Sequence, residues 1–254
     1  MDNFLIIGHP RCGSTLLCRS LDQHPDLSVY VEALHPFDGP VLEWRKKYTQ
    51  EIYGLEYLEA IRDGRSSRLK ERSDFHLLTE RIFADYNGFK ILIQQLPISY
   101  KIWEHFQADK NLKIVFLTRN NLLESALSNK LAQKTRIWQV DVNEQAIEDE
   151  PIFLESSFLI KYFKEITSSF KHLKNLFSQH DSFDLQYELL CNNWDSKIYS
   201  LEEFLGIKKY SLPMMTGKRT GKDMHQLISN YSELEKEFEN TEWDCYFNKP
   251  ILFL

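Results

Sequence analysis

The chain has 254 residues, and its 31 basic side chains against 37 acidic ones give a formal net charge of −6. This length predicts a single domain spanning residues 1–254, long enough to bury a sizeable core. The acidic balance excludes a general nucleic-acid binder, which is usually basic, so an anionic ligand needs a local basic site.

The first predicted element is the apolar run from Phe4 to Ile7, which is typical of a buried strand. It is too short for the core of a signal peptide. No stretch approaches the roughly 20 apolar residues of a membrane span. The four cysteines lack metal-binding spacing and are typical of reduced thiols. We therefore expect a cytoplasmic protein without a transmembrane segment.

Predicted strands and helices then alternate along the chain. The predicted strands after the first are residues 27–31, 89–93, 112–118 and 183–187. The predicted helices are residues 14–24, 121–134, 152–180 and 198–205, with a mostly helical region over residues 41–85. Residues 139–150 carry five acids and no base, which predicts an exposed loop. Alternation of this kind predicts an α/β fold with a mainly parallel sheet flanked by helices.

The segment between the first strand and the first helix reads GHPRCGST, from Gly8 to Thr15. A glycine-rich turn in this context is typical of a phosphate-binding loop, because N–H groups at a helix start attract anions. The spacing matches GxxxxG-[ST], but Ser14 stands where the nucleoside-triphosphate motif has Lys. The nearest cation is Arg11. A tight turn that binds no ligand is the alternative interpretation.

The strand over residues 112–118 ends in Arg119. In P-loop NTPases a strand ends in an Asp that helps to hold Mg²⁺. An arginine at the ligand edge of an α/β sheet instead binds an anion and repels a metal ion. Together with the missing loop lysine, Arg119 favours a phosphorylated nucleotide that is bound without a metal ion.

Four segments resemble sulfotransferases that use 3′-phosphoadenosine 5′-phosphosulfate (PAPS) and have a P-loop-like α/β fold. FLIIGHPRCGSTLLCRSLDQHP is similar to their 5′-phosphosulfate loop, and IVFLTRNNLLESALSNKLAQKTRIW to their 3′-phosphate region. Tyr187-Glu188-Leu189 with Phe204-Leu205-Gly206, and TGKRTGKDMHQLISNYSEL, resemble later family segments. The order and spacing are most similar to small bacterial carbohydrate sulfotransferases of the nodulation-factor and trehalose types.

The resemblance implies a set of PAPS-binding residues. They are Arg11, Cys12, Gly13, Ser14, Thr15, Arg119, Ser128, Lys218 and Arg219. Arg11 and the N–H groups of residues 12–15 would hold the 5′-phosphate, and Arg119 with Ser128 the 3′-phosphate. Ser14 and Thr15 also suit plain helix capping, and a solvated basic loop is the alternative for residues 218–219. Trp138 fits adenine stacking, but a core or surface role fits equally.

The acceptor hydroxyl needs a general base. The resemblance implies Glu32, which follows the second predicted strand, and His35 is the competing catalytic residue. The third interpretation is that Glu32 and His35 both have a purely structural role. Lys90 is predicted either to face the cofactor or acceptor or to lie at the surface, and His9 is a weaker prediction for acceptor contact.

The predicted function is transfer of a sulfuryl group from PAPS to a hydroxyl of a carbohydrate or glycolipid by in-line displacement, without a metal ion. Arg11 would act in catalysis by holding the leaving oxygen. The alternatives are a P-loop kinase-like phosphotransferase and a catalytically inactive nucleotide-binding relative. A homodimer is compatible with the sequence, although no feature establishes one.

Overall fold

The computed structural model describes residues 2–31, 75–94, 102–141, 143–144, 147–217 and 222–247. The strands are β1 Phe4–Gly8, β2 Val29–Tyr30, β3 Gly88–Leu92, β4 Lys113–Thr118 and β5 Ser182–Gln186. The helices are α1 Ser14–Leu21, α2 Phe75–Asp85, α3 Ile102–Ala108, α4 Leu122–Thr135, α5 Ser156–Leu176, α6 Tyr187–Asn192, α7 Trp194–Leu205, α8 Met224–Leu227 and α9 Tyr231–Phe238. A 3₁₀ helix, Asp244–Tyr246, follows.

The strands form one five-stranded sheet in the order β2-β3-β1-β4-β5, and every neighbouring pair is parallel. This confirms the predicted α/β fold with a parallel sheet. In the central strand, Ile6 pairs with Lys90 of β3 on one side and with Val115 of β4 on the other. Because all strands run the same way, their carboxyl ends meet at one edge, where ligands of open α/β sheets bind.

Both faces of the sheet are covered by helices, as parallel sheets require. Leu5 and Ile7 of β1 pack into a core with apolar residues of α3, α4 and α5. Phe4 and Ile6 point to the other face, where α1 and α7 supply the partners. Residues 4–7 are fully buried, which explains why the first strand reads as a continuous apolar run rather than an alternating one.

Several predicted boundaries differ from the structure. Helix α1 ends at Leu21, and residues 22–26 form turns in which the Asp22 carboxylate accepts from the Val29 amide at 2.9 Å. Strand β2 has only two residues, Val29 and Tyr30, which pair with Gly88 and Phe89 of β3 at the sheet edge. Strand β5 ends at Gln186, so Tyr187 begins a helix instead of closing the strand.

The acidic segment 139–150 is not simply an exposed loop. Val140 and Asp149 are buried within it. The Val140 carbonyl accepts from the Gly217 amide at 3.0 Å, and the Asp149 carbonyl accepts from Lys222 Nζ at 2.9 Å. Contacts with the C-terminal region therefore fold part of this segment inwards.

None of the helices in the described ranges is both long and apolar enough to cross a membrane. Most of the predicted helical region over residues 41–85 lies outside the described residues, and α2 is the part that falls within them.

Candidate functional site

The loop between β1 and α1 is shaped by two left-handed residues. Arg11 has φ +66° and Gly13 has φ +87°, a region that favours glycine. A Cβ on Gly13 would lie 2.2 Å from Cδ2 of Tyr187, and one on Gly8 would lie 2.6 Å from Cys12 Sγ. The ring of Tyr187 therefore closes one side of the loop, and both glycines are needed for close approach.

Helix α1 offers an uncompensated N-terminus to the loop. Its N-cap is Gly13, and its first turn contains no acidic residue. The side chain of Lys90, only 2% exposed, donates from Nζ to Thr15 Oγ1 at 2.9 Å. The helix dipole and this ammonium group favour an anion at the same place. A neighbouring strand thus brings a lysine to the loop that itself lacks one.

Arg11 connects the loop to helix α4. Its Nε donates to Ser128 Oγ at 2.9 Å, and its guanidinium also donates to the carbonyl of Trp138. Ser128 faces the loop because α4 starts at Leu122, directly after the Asn121 N-cap, whose side chain accepts from the Glu124 amide at 3.0 Å. Two of the predicted phosphate-binding residues, far apart in sequence, therefore lie in direct contact.

Arg119 leaves the carboxyl end of β4 beside the same loop. One guanidinium nitrogen donates to the Arg11 carbonyl at 3.2 Å, and the other pairs with the Glu124 carboxylate. The guanidinium carbon lies 4.9 Å from the centre of the Tyr187 ring. The Arg119 Nε is buried and has no hydrogen-bond partner within the described part of the chain. An arginine with an unused donor is chemically suited to bind an anion.

The Tyr187-Glu188 pair organises these elements from the end of β5. The Glu188 carboxylate accepts from the Asn120 amide at 3.0 and 3.1 Å and from the Asn121 amide at 3.3 Å. It thereby holds the start of α4 against β5. Burial raises the pKa of Tyr187 to about 12, so its ring is a neutral wall between loop and Arg119. The family resemblance contained this pair but gave it no role in the site.

A match to known proteins settles the family. The family model of the sulfotransferases matches residues 3–211. The chain belongs to the sulfotransferase family. It is therefore an enzyme of sulfuryl transfer, as the sequence motifs predicted.

This sulfotransferase is similar to Nodulation protein H of Rhizobium meliloti (strain 1021), with 23% identity over 246 residues. The match spans 96% of this chain and 94% of that protein. Its fold resembles the sulfotransferase domain from the curacin biosynthetic pathway, with a TM-score of 0.50, 19% identity and coverage of 91% and 86% of the two chains. A sulfotransferase from Alicyclobacillus acidocaldarius gives a TM-score of 0.49 at 17% identity, covering 94% and 91%.

His9 of the sulfotransferase does not lie where an acceptor could touch it. The side chain is fully buried, and the Phe170 ring lies edge-on to it at 6.0 Å between centroids. Burial, with a smaller contribution from the positive charge of Arg119, lowers the pKa of His9 to about 4. The prediction of acceptor contact is therefore wrong, because the ring points into the protein.

Trp138 is half-exposed beside the phosphate loop, and its carbonyl is the one that Arg11 contacts. Two residues further on, Val140 bonds to Gly217, and Asp141 forms an antiparallel bridge with Thr216. The segment that follows Trp138 therefore contacts Thr216 and Gly217, the two residues directly before Lys218 and Arg219.

Four predicted site residues of the sulfotransferase fall outside the described residues, namely Glu32, His35, Lys218 and Arg219. Cys12, Ser14 and Thr15 are in place at the loop and the start of α1, and burial raises the pKa of the Cys12 thiol. Among the described residues, no group of three or more His, Cys, Asp and Glu side chains is arranged to hold a metal ion.

Proposed function

We propose that this enzyme transfers the sulfuryl group of PAPS to a hydroxyl of a carbohydrate or glycolipid. The observation that carries the proposal is the meeting of Arg11, Arg119 and Ser128 at one sheet edge, next to an open helix N-terminus. PAPS carries anionic groups on both its 5′ and 3′ positions, and it needs two adjacent anion sites. A nucleoside with phosphate at one end only would leave one of them unused.

In this proposal the N–H groups of residues 12–15 and the guanidinium of Arg11 hold the 5′-phosphate. Lys90 adds a charge beside the first turn of α1, where its Nζ reaches Thr15 Oγ1 at 2.9 Å. These groups are preorganised for the negative charge that develops on the leaving phosphate oxygen, which is the largest usual contribution to such reactions.

Arg119 and Ser128 hold the 3′-phosphate. The unpartnered Nε of Arg119 supplies a donor that is already desolvated. Ser128 Oγ now accepts from Arg11, so its own proton can be donated to a phosphate oxygen. Lys218 and Arg219 would add positive charge for the bound nucleotide, and they follow Gly217, whose amide donates to the Val140 carbonyl at 3.0 Å.

Glu32 acts as the general base in this proposal, with His35 as the competing residue. The base removes the proton of the acceptor hydroxyl as its oxygen attacks sulfur, opposite the leaving oxygen. The carbohydrate or glycolipid class of acceptor rests on the resemblance of the sequence motifs to carbohydrate sulfotransferases.

Calorimetric titration with adenosine 3′,5′-bisphosphate tests the donor site. We expect binding without Mg²⁺, and weaker binding of adenosine 5′-monophosphate and adenosine 3′-monophosphate, because each fills one anion site. Equal affinity for all three nucleotides, or binding only of ATP with Mg²⁺, would contradict the proposal and favour a phosphotransferase. A screen of glycans and glycolipids with labelled PAPS then identifies the acceptor, with the Glu32→Gln variant as the inactive control.

A further inference from the structure

His9 lies buried between the two segments to which we assign the 5′- and 3′-phosphates. We propose that His9 is a positioning residue that fixes the backbone of Arg119 and of the phosphate loop relative to each other. The expected effect of His9 on catalysis rests on the proposed function, whereas the contacts of His9 are those of the unliganded chain.

The first contact is with the Arg119 backbone. The amide of Arg119 donates to His9 Nε2 at 3.3 Å, so this nitrogen carries no proton. A neutral imidazole then has its proton on Nδ1. The tautomer thus follows from the Arg119 contact and leaves one donor for the opposite side of the ring.

That donor faces the loop. His9 Nδ1 lies 3.0 Å from the Pro10 carbonyl oxygen and 3.1 Å from Ser125 Oγ. Ser125 Oγ donates to the same carbonyl at 2.8 Å, and the Tyr162 hydroxyl lies 2.8 Å from Ser125 Oγ and 3.5 Å from that carbonyl. The Pro10 carbonyl is therefore held by a network that reaches from the loop to α4 and α5.

The Pro10 carbonyl belongs to the peptide unit that leads into Arg11. Arg11 has φ +66°, a conformation that L-residues adopt only when their surroundings hold it. Its own carbonyl then accepts from the Arg119 guanidinium at 3.2 Å. The His9 imidazole thus contacts the backbone next to Arg11 and the backbone of Arg119, the two arginines that this hydrogen bond joins.

The burial of His9 separates this role from a catalytic one. The side chain has no exposed surface and packs against Phe170, so it does not reach a bound substrate. Both ring nitrogens are already engaged with protein atoms. Loss of the ring would remove the bonds that hold the Arg119 amide and the Pro10 carbonyl relative to each other, and small displacements of binding groups reduce rates strongly.

His24 provides a matched control, because it is also buried and also uses both ring nitrogens on the backbone. Its Nε2 lies 2.9 Å from the Lys208 carbonyl, and its Nδ1 accepts from the Asp26 amide at 3.0 Å. It lies beyond the C-terminal end of α1, whereas His9 lies before its start. Loss of either imidazole should reduce stability, but only loss of the His9 imidazole should weaken nucleotide binding.

The test compares His9→Leu and His24→Leu in the full chain, at a temperature at which both are folded. We expect His9→Leu to weaken adenosine 3′,5′-bisphosphate binding about tenfold or more, the effect of one or two lost buried hydrogen bonds. His24→Leu should change it less than about twofold at a comparable loss of Tm, since distant sites are usually independent. His9→Gln, which keeps an acceptor for Arg119, and His9→Asn, which keeps a donor for Pro10, should each recover part of the affinity.

Unchanged affinity in His9→Leu, or equal losses in both leucine variants, would overturn the proposal. Amide hydrogen exchange of the unliganded proteins gives a second, ligand-free measurement. We expect faster exchange at residues 11–15 and at Arg119 in His9→Leu only. If the wild type failed to bind the nucleotide, the proposed function would be wrong, and the exchange result would still decide the role of His9.

Discussion

The two halves of the candidate site are built by different means. The loop half, residues 8–15 with Lys90, is set by backbone geometry, with two left-handed residues and the start of α1. The helix half, Arg119, Glu124, Ser128 and the Tyr187-Glu188 pair, is set by side-chain hydrogen bonds, which join Arg11 to Ser128, Arg119 to Glu124, and Glu188 to the backbone at the start of α4. The loop half is therefore sensitive to any added side-chain atom, whereas the helix half is sensitive to charge.

Gly13→Ala should break the loop half most severely. The new Cβ would meet the Tyr187 ring at 2.2 Å in a left-handed conformation. We expect the free energy of unfolding in urea to fall by about 2–4 kcal/mol and nucleotide binding to be lost. Gly206→Ala is the control, because Gly206 also has positive φ but an added Cβ would only come into ordinary contact with Lys113 Nζ at 3.8 Å, and it should cost about 1 kcal/mol without loss of binding. Equal behaviour of the two variants would show that Tyr187 does not constrain the loop.

Lys90→Met should separate the charge of the loop half from its shape. The buried ammonium beside Thr15 would be replaced by an apolar chain of similar length. We expect kcat to fall about 10²-fold in a sulfuryl-transfer assay, because charge stabilisation of the leaving group is lost. Lys113→Met, at the opposite end of the sheet, should retain activity. A Lys90→Met variant with full kcat would remove Lys90 from the proposed site.

The stability that His9 contributes by joining the two halves should depend on pH. The unfolded histidine takes up a proton near pH 6.5, whereas burial lowers the pKa of folded His9 to about 4. The unfolded chain binds more protons in this window, so stability falls as the pH falls from 6.5 towards 4. Between pH 7 and pH 5 the contribution is about 2 kcal/mol. Urea unfolding of the wild type and of His9→Gln at pH 7 and pH 5 measures this contribution. The same pH dependence of the free energy of unfolding in both proteins would contradict the prediction.

Glu124→Gln should produce the smallest change, and in the opposite direction. The Glu124 carboxylate pairs with the Arg119 guanidinium, and it would compete with a bound 3′-phosphate. Its side chain is partly exposed, so we expect binding of adenosine 3′,5′-bisphosphate to tighten only about threefold, with the gain declining at high salt. Asp184→Asn, which removes an exposed partner of Lys174, is the control. Weaker binding of Glu124→Gln would indicate that Glu124 orients Arg119 instead of competing for it.

The sequence predicts elements and their ends better than contacts between elements. Phosphate-loop spacing located Gly8 and Gly13, and the strand ending in Arg119 predicted the second anion site that we propose. Ser128 followed from the resemblance and from where α4 starts. The Arg11–Ser128 contact, the reach of Lys90 to Thr15 and the bonds of Glu188 to α4 depend on tertiary placement, which no spacing along the chain contains.

Two errors have the same physical origin. His9 lies beside a binding loop in sequence, but its side chain turns inwards because the Arg119 amide and the Pro10 carbonyl need partners. Residues 27–31 have the composition of a strand, but only Val29 and Tyr30 find ladder partners on β3. Both outcomes are determined by neighbours that are distant along the chain.

The strand order has a consequence for how this enzyme can change during evolution. From the central strand β1 the chain passes to the edge strand β2, returns to β3 beside β1, and then crosses to β4 and β5 on the other side. The residues that we assign to the two phosphates lie where these two directions diverge. The connection that follows β2 leaves from the outermost strand on its side, so insertions and exchanges there need not disturb the register of β1, β3 and β4. New acceptors could therefore be acquired at the margin of the fold while donor chemistry stays fixed at its centre.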